Sequence, residues 1–460
     1  MNFLGVELEV KNLPELDRGF IPMRTFNQAF LKGAKKPIGV AVERARGEMA
    51  AVHTFIYGTE EMREADRYYI RRLIKTLLWM KGGFRVYVTD KSLYDYLSEC
   101  FCENGNQAFD WDYFASIYER PFEIVLTDEI PEAKDDPQPA GGHLDGCRIG
   151  FDAGGSDRKV SAVIDGETVY SEEVVWFPKL NSDPDYHYDG IVSALRSAAS
   201  HMPRVDAVGV SSAGVYINNR TMNASLFLKV PKDQFDAKVK DIYIRAITDT
   251  FGDIPYNVFN DGDVTALAGA MSLEDTNILG IAMGTSEAGG YVDENGCITG
   301  WLNELAFIPV DANPEAMQDE WSLDIGCGVK YFSQDGIIKL APTAGIELHE
   351  ALSPAEKLKV VQGLMEKGDE RAAAVYRSIG VYLAHTLALY HDLYGFRHVL
   401  LLGRVMSGKG GDLVIAQCEA VLKDEYPELS EKIHLALPDE KFRRVGQSAA
   451  AASLPELRKR

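Results

Sequence analysis

The turn Asp152-Ala153-Gly154-Gly155-Ser156 joins an apolar run at 147–151 to a second one at 160–164. An acid where a strand ends, with two glycines after it, bends the backbone tightly enough to aim N–H groups at an anion. Ser156 adds a hydroxyl, and Asp152 can hold a magnesium ion through its water shell. A plain hairpin with a glycine turn would read the same, so the weight falls on whether the chain repeats this chemistry. It does. Asn260-Asp261-Gly262-Asp263 lies between an expected strand at 256–259 and an expected helix at 264–271. A carboxylate at such a junction either caps the helix or acts as a general base beside a ligand cleft. After a strand at 277–282, Met283-Gly284-Thr285-Ser286-Glu287-Ala288-Gly289-Gly290 makes a second glycine-rich turn.

These turns need a scaffold of strands and helices to position them. Asp165-Gly166 is a hairpin turn leading into a run at 168–176. A helix at 188–202 and a strand at 205–210 lead to Ser211-Ser212-Ala213-Gly214, where small residues let a ligand approach the backbone. The stretch 218–223 is rich in amide side chains, which suit sugar hydroxyls or simply a polar surface loop. A single helix is expected over 232–251. Ser353-Pro354-Ala355-Glu356 is a capping box with proline at the first helical position, so a helix starts there. A strand at 398–402 ends in Gly403. Two halves, each opening with strand, glycine turn and strand, predict a duplicated α/β fold with nucleotide phosphates between the turns. The expected lobes are 147–272 with 440–460, and 273–439. A C-terminal helix at 442–457 is expected to return to the first lobe, where the small run 448–452 permits close packing.

Residues 1–130 read as a separate α/β unit without a chemical motif. Strands are expected around Arg46-Gly47 within 37–57, at 84–88 and at 122–126. A helix at 64–80 carries the apolar stripe Tyr69, Leu73, Leu77 and Leu78, and another spans 92–101. The glycines at 82 and 83 break any three-helix DNA-binding unit. The segment 131–146, rich in Pro, Gly and charge, reads as a linker.

At 460 residues the chain is long enough for two or three domains with substantial cores. A formal net charge of −21 argues against nucleic acid as a main partner, because phosphate binding needs a basic surface. The first residues lack the basic head and apolar stretch of a signal peptide, and no run approaches the length of a membrane span. A cytoplasmic protein is expected. Of the 6 cysteines, Cys100 and Cys102 stand one residue apart, which is not a CxxC metal spacing, the other four are scattered, and most read as buried free thiols. The run 403–410 nearly matches a Walker A loop, but Gly410 stands where a magnesium-binding hydroxyl is required, so that reading is rejected.

The order of these motifs resembles the actin, Hsp70 and sugar kinase superfamily, and within it the ROK family of bacterial sugar kinases and sugar-responsive repressors, over about residues 147–460. Asp152-Ala153-Gly154-Gly155-Ser156 is similar to that family's DxGGT phosphate turn, and Asn260-Asp261-Gly262-Asp263 to its NDAN segment, whose aspartate is the catalytic base. Gly284-Thr285 and Gly289-Gly290 are similar to the second phosphate loop, and Gly403 takes the adenosine-loop position. The resemblance implies a two-lobed, ribonuclease-H-like kinase fold with ATP and magnesium as cofactors. Asp261 would be the base. Asp152, Gly154, Gly155, Ser156, Lys159, Gly284, Thr285, Ser286 and Gly403 would hold the nucleotide. Gly214, Asn223, Asn260 and Glu304 would hold the sugar, and the magnesium would sit at Asp152. A sugar is the expected partner, and a homodimer is allowed for.

The departures are specific. The sugar-binding ExGH segment stands here as Glu304-Leu305-Ala306-Phe307, keeping the glutamate and losing the histidine. The CxCGxxGC zinc cluster is reduced to Gly326-Cys327, and one thiol cannot build a tetrahedral site, so no structural zinc is expected. Glu287 puts an acid in the second phosphate loop, where its charge should oppose ATP, and Arg404 replaces a glycine near the adenosine. A non-catalytic sugar or nucleotide sensor, or a phosphatase or ATPase on the same scaffold, are the alternatives.

Overall fold

The computed structural model describes residues 1–139, 141–438 and 446–458. The chain divides into two compact units. One comprises 137–280, 290–300 and 438–460, and the other 1–136, 281–289 and 301–437.

The first of these is built on a five-stranded sheet in the order Glu167–Val175, Asp157–Ile164, Cys147–Ala153, Ala207–Ser212, Tyr256–Asn260. The first three strands form antiparallel hairpins, while Cys147–Ala153, Ala207–Ser212 and Tyr256–Asn260 run parallel. On one face the sheet packs against the helices Pro184–Ala199 and Ile242–Phe251, through Ile149, Phe151, Ile191, Leu195, Tyr243 and Ile247. The helix Gln447–Ala452 lies directly on the sheet. A Cβ at Gly150 would overlap the Ser448 carbonyl oxygen, and one at Gly209 the Ala451 carbonyl oxygen. The small run 448–452 therefore does bring helix backbone against strand backbone; the start of the expected helix, 442–445, lies outside the described residues.

The expected single helix at 232–251 is broken into Lys232–Gln234, a wider turn at Phe235–Val239, and Ile242–Phe251. The helix opens because its carbonyls serve neighbours. Thr221 N–H donates to the Lys240 carbonyl at 2.9 Å, and Arg245 reaches the Lys238 carbonyl.

In the other unit the strands Met49–Ile56, Lys36–Glu43, Arg85–Val88 and Glu123–Leu126 form a four-stranded sheet in that order. The helices Arg63–Lys81 and Lys91–Cys100 match the sequence reading to within a residue or so, whereas Met23–Gly33 and Ala108–Tyr118 were not anticipated. The 25-residue helix Glu370–Tyr394 is buried along most of its length, so it is apolar all round rather than striped. The helix Lys409–Glu425 packs closely on it, since a Cβ at Gly380 would fall 2.7 Å from the Val414 carbonyl oxygen.

Residues near the N-terminus are fastened to this helix pair. Arg24 makes a two-pronged ion pair with Asp392, Arg377 binds Glu15, and Asn12 binds Glu425. Part of the segment read as a linker is also structured. Lys134 bridges to Met49, and Gln138–Pro139 pairs with Cys297–Ile298. The helix Pro354–Glu366 begins with the expected capping box, both hydrogen bonds being present. All cysteines among the described residues are free thiols, and among those residues no helix is long and apolar enough to cross a membrane.

Candidate functional site

Three parallel strands end at one level. In register, Ser211 lies beside Asp152 on one flank and Phe259 on the other, and Ser212 lies beside Ala153 and Asn260. The C-terminal edge of a parallel sheet is where ligands of α/β folds bind. Ser211 Oγ donates to Asp152 Oδ1 at 2.9 Å, fixing the carboxyl at the strand end. Burial pushes the Asp152 carboxyl up to about 6, with nearby Asp261 adding to the rise and Lys159 opposing it. Such a site favours a cation, which would relieve both the burial and the repulsion. Among the described residues no three metal-ligating side chains cluster. A magnesium ion here would therefore take one or two carboxylates and complete its shell from water and phosphate oxygens, its usual habit. The residues fit it.

The glycine turn is strapped by the segment that follows the third strand. Trp176 N–H donates to the Ser156 carbonyl at 3.1 Å, and Trp176 Nε1 donates to the Gly154 carbonyl at 2.7 Å. The buried ring of His187 lies between the carbonyls of Asp183 and Pro178, with a ring nitrogen 3.0 Å from each, which seats the short turn Pro178–Leu180 on the helix below. This places Lys179 over the glycines: a Cβ at Gly155 would stand 2.9 Å from Lys179 Cε and 3.1 Å from its Nζ. Ser156 Oγ, by contrast, is turned to Asp157 at 3.0 Å, and Lys159 sits between Asp157 and Glu173 at 3.7 and 3.8 Å.

Asp261 opens the helix Asp261–Leu273. The cap is Asn260, whose side-chain oxygen accepts from Gly262 N–H at 2.7 Å. The capping task that competed for Asp261 therefore belongs to its neighbour. Burial raises the Asp261 carboxyl above the usual aspartate range, against the pull of the Gly262 N–H and Lys179. Asn260 Nδ2 donates to the Gly214 carbonyl at 2.7 Å, so this amide holds the turn as well as the helix. Gly214 has φ +138°, and a Cβ there would overlap the Asn223 carbonyl oxygen. Gly214, Asn223, Asn260 and Asp261 are thus neighbours, and Asp261 is close enough to Asp152 to perturb it. Around them, Tyr243 and Tyr216 share hydrogen bonds with Ser212 Oγ at 2.8 and 2.7 Å.

Gly284, Thr285, Ser286, Gly403 and Glu304 belong to the other unit. Gly284 N–H donates to the Ser286 carbonyl at 2.9 Å, closing a tight turn that leaves Thr285 and Ser286 exposed. Gly403, with φ +94°, lies against the backbone of Met283, so its loop and the glycine turn are side by side. Arg404 is exposed, starting a short turn at Arg404–Met406. Glu287 is 3% exposed and packs beneath Gly328, and burial, then Glu304, push its carboxyl well above the usual range.

Helices from the first 136 residues cover the segment that the resemblance would make a zinc loop. Phe307 lies on Trp79, ring centroids 4.3 Å apart. Arg72 and Lys75 pair with Asp324 at 2.8 and 3.1 Å, and Lys75 also with Asp110 at 3.0 Å. Burial alone would strip the Lys75 charge, but Asp110 and Asp324 overcome it and hold Lys75 protonated; the two cations in turn hold Asp324 ionised against its own burial. Ion pairs fasten this loop.

No protein-family model matches the sequence, and no curated protein matches it. Solved structures do. A ROK hexokinase from Thermus thermophilus superposes with a TM-score of 0.52 at 17% identity, covering 66% of this chain and 96% of that one. A ROK family transcriptional regulator, a homologue of the E. coli MLC protein, gives 0.51 at 15% identity over 68% of this chain and 78% of that one. Over about two thirds of its length the protein has the fold of the ROK family. That fold serves both a hexokinase and a transcriptional regulator.

Proposed function

We propose that the protein is an ATP-dependent kinase of a sugar or sugar derivative, with Asp261 as general base. The observation that carries this reading is the gathering of Asp152, Asp261 and a strapped glycine turn at the ends of three parallel strands. In the reaction the sugar hydroxyl oxygen attacks the γ-phosphorus of ATP and the bond to the bridging oxygen breaks. The electron pair leaves with ADP, and the hydroxyl proton passes to Asp261. A carboxylate whose burial raises its proton affinity is better matched to that transfer near neutral pH. Gly154, Gly155 and Ser156 contribute backbone donors to the phosphates, and Gly284, Thr285, Ser286 and Gly403 are the further nucleotide contacts that the resemblance implies. Gly214 and Asn223 would orient the sugar, with Asn260 holding their turn in shape and Glu304 as a further sugar contact. Magnesium held at Asp152 would offset phosphate charge.

The likeness to a transcriptional regulator supports a second reading, a sugar or nucleotide sensor without turnover. One experiment separates them. ATP consumption is followed over a panel of hexoses and N-acetylhexosamines, with the wild type and Asp261→Asn. The kinase reading expects kcat to fall by about 10²–10⁴ in the variant, with sugar binding kept. Equal turnover by both proteins removes Asp261 from the chemistry. Sugar binding without turnover in the wild type puts the sensor in the kinase's place.

A further inference from the structure

We infer that Lys179, which lies outside every motif of the chain, is the cation that binds the terminal phosphates of ATP at the first glycine turn. The inference rests on the kinase reading for its ligand and on the geometry of one unit for its residue.

An anion at this turn meets mostly acids. Asp152, Asp157 and Asp261 lie at or beside it, and Glu173 stands on the adjoining strand. Two polyphosphate oxygens with full charge need positive charge close by, beyond what one magnesium ion supplies. The cations near the turn differ sharply in what they already do. Lys159 is shared between Asp157 and Glu173, so its charge is largely answered. Arg158 lies over the Trp176 ring, 5.8 Å from its centroid, and packs against Gly190. Lys179 makes no ion pair or hydrogen bond among the described residues, and its ammonium stands over Gly155 in the glycine turn.

Its placement is built rather than accidental. Trp176, 2% exposed, holds the strap to the turn by two hydrogen bonds, and His187, fully buried, holds the carbonyl of Pro178 immediately before Lys179. The backbone is fixed while the side chain stays exposed. Lys179 is also one of the groups that bear on the Asp261 carboxyl, so the same ammonium faces both the phosphate turn and the base. In the reaction it offsets the negative charge that spreads over the γ-phosphoryl oxygens as the bridging bond breaks.

The test compares the wild type with Lys179→Met and Lys179→Arg, measuring kinetics at saturating sugar and calorimetric binding of ATP and AMP with magnesium. Lys179→Met should keep the wild-type melting temperature and the KM for sugar, and should bind AMP as the wild type does. It should lose roughly 10- to 100-fold in kcat/KM for ATP, with weaker ATP binding. The loss should shrink in high salt, because the group is exposed. Lys179→Arg should recover most of it. Lys179→Met within twofold of wild type for ATP overturns the inference, as does an equal loss for AMP and ATP, or an arginine variant as poor as the methionine one. A wild type that binds ATP without transferring phosphate ends the kinase reading alone, and ATP affinity still decides Lys179. A wild type that does not bind ATP ends both.

Discussion

Glu287→Met should stabilise the protein, and by more as the pH rises. Both Glu287 carboxyl oxygens are buried without a hydrogen-bond partner, and the raised proton affinity comes from burial first and Glu304 second. The folded state therefore keeps the proton, while the unfolded chain releases it near the ordinary value of 4.5. The unfolded state binds fewer protons over this range, so stability falls with rising pH from 4.5 until the folded carboxyl itself ionises. Each pH unit in that window costs up to about 1.4 kcal/mol, so the advantage of the variant should widen as the pH is raised from 5. Methionine has similar length and no polar atoms to desolvate, which removes a further ~1–3 kcal/mol of unmet hydrogen bonding. Other buried acids, Asp152 and Asp311 among them, titrate in both proteins, so the difference between the two isolates Glu287. The assay is urea unfolding of wild type and variant at pH 5, 6 and 7. A stability difference that is flat with pH, or that shrinks as pH rises, would refute the neutral buried acid.

Two further outcomes follow from the unit that carries the proposed site. The Asp152 carboxyl is held up to about 6, and a cation needs its ionised form, so kcat/KM should decline as pH drops through about 6. A profile flat to pH 5 would show that Asp152 does not hold the metal. Gly209→Ala forces a methyl group into the Ala451 carbonyl oxygen and should cost about 3 kcal/mol, read as a fall in the urea midpoint. An unchanged midpoint would mean that the C-terminal helix does not bear on the sheet.

What could be read from the sequence was local. The turn at 152–156 and the junction at 260–263 are legible because strand, acid and small residues are contiguous, and the capping box at Ser353 names its own geometry. The sequence could not say which of two adjacent polar residues caps the helix. Asn260 does, because its side chain reaches Gly262 N–H while its backbone is still extended. The helix Ala108–Tyr118 escaped notice because aromatic side chains sit around most of its circumference, leaving no stripe to count. Lys179 escaped because its place depends on the pairing of Glu167–Val175 with Asp157–Ile164, which carries a distant residue back to the turn. The Arg72–Asp324 ion pair joins residues 252 positions apart, and nothing in either neighbourhood announces the other. The sequence shows that Glu287 stands in the second glycine turn but not that its carboxyl is buried.

The close seat of Gln447–Ala452 on the sheet has a consequence for how the protein is made. Ser161 in the second strand and Ser448 in that helix share a hydrogen bond across 287 positions of chain. At about 10 residues per second, the strands leave the ribosome roughly half a minute before the helix that covers them. Through that interval one face of the sheet, including the bare backbone at Gly150 and Gly209, has nothing of its own to rest against. Nascent chains halted before residue 447 should therefore be sensitive to protease around 147–212 and should engage chaperones. Release of the full chain should end both.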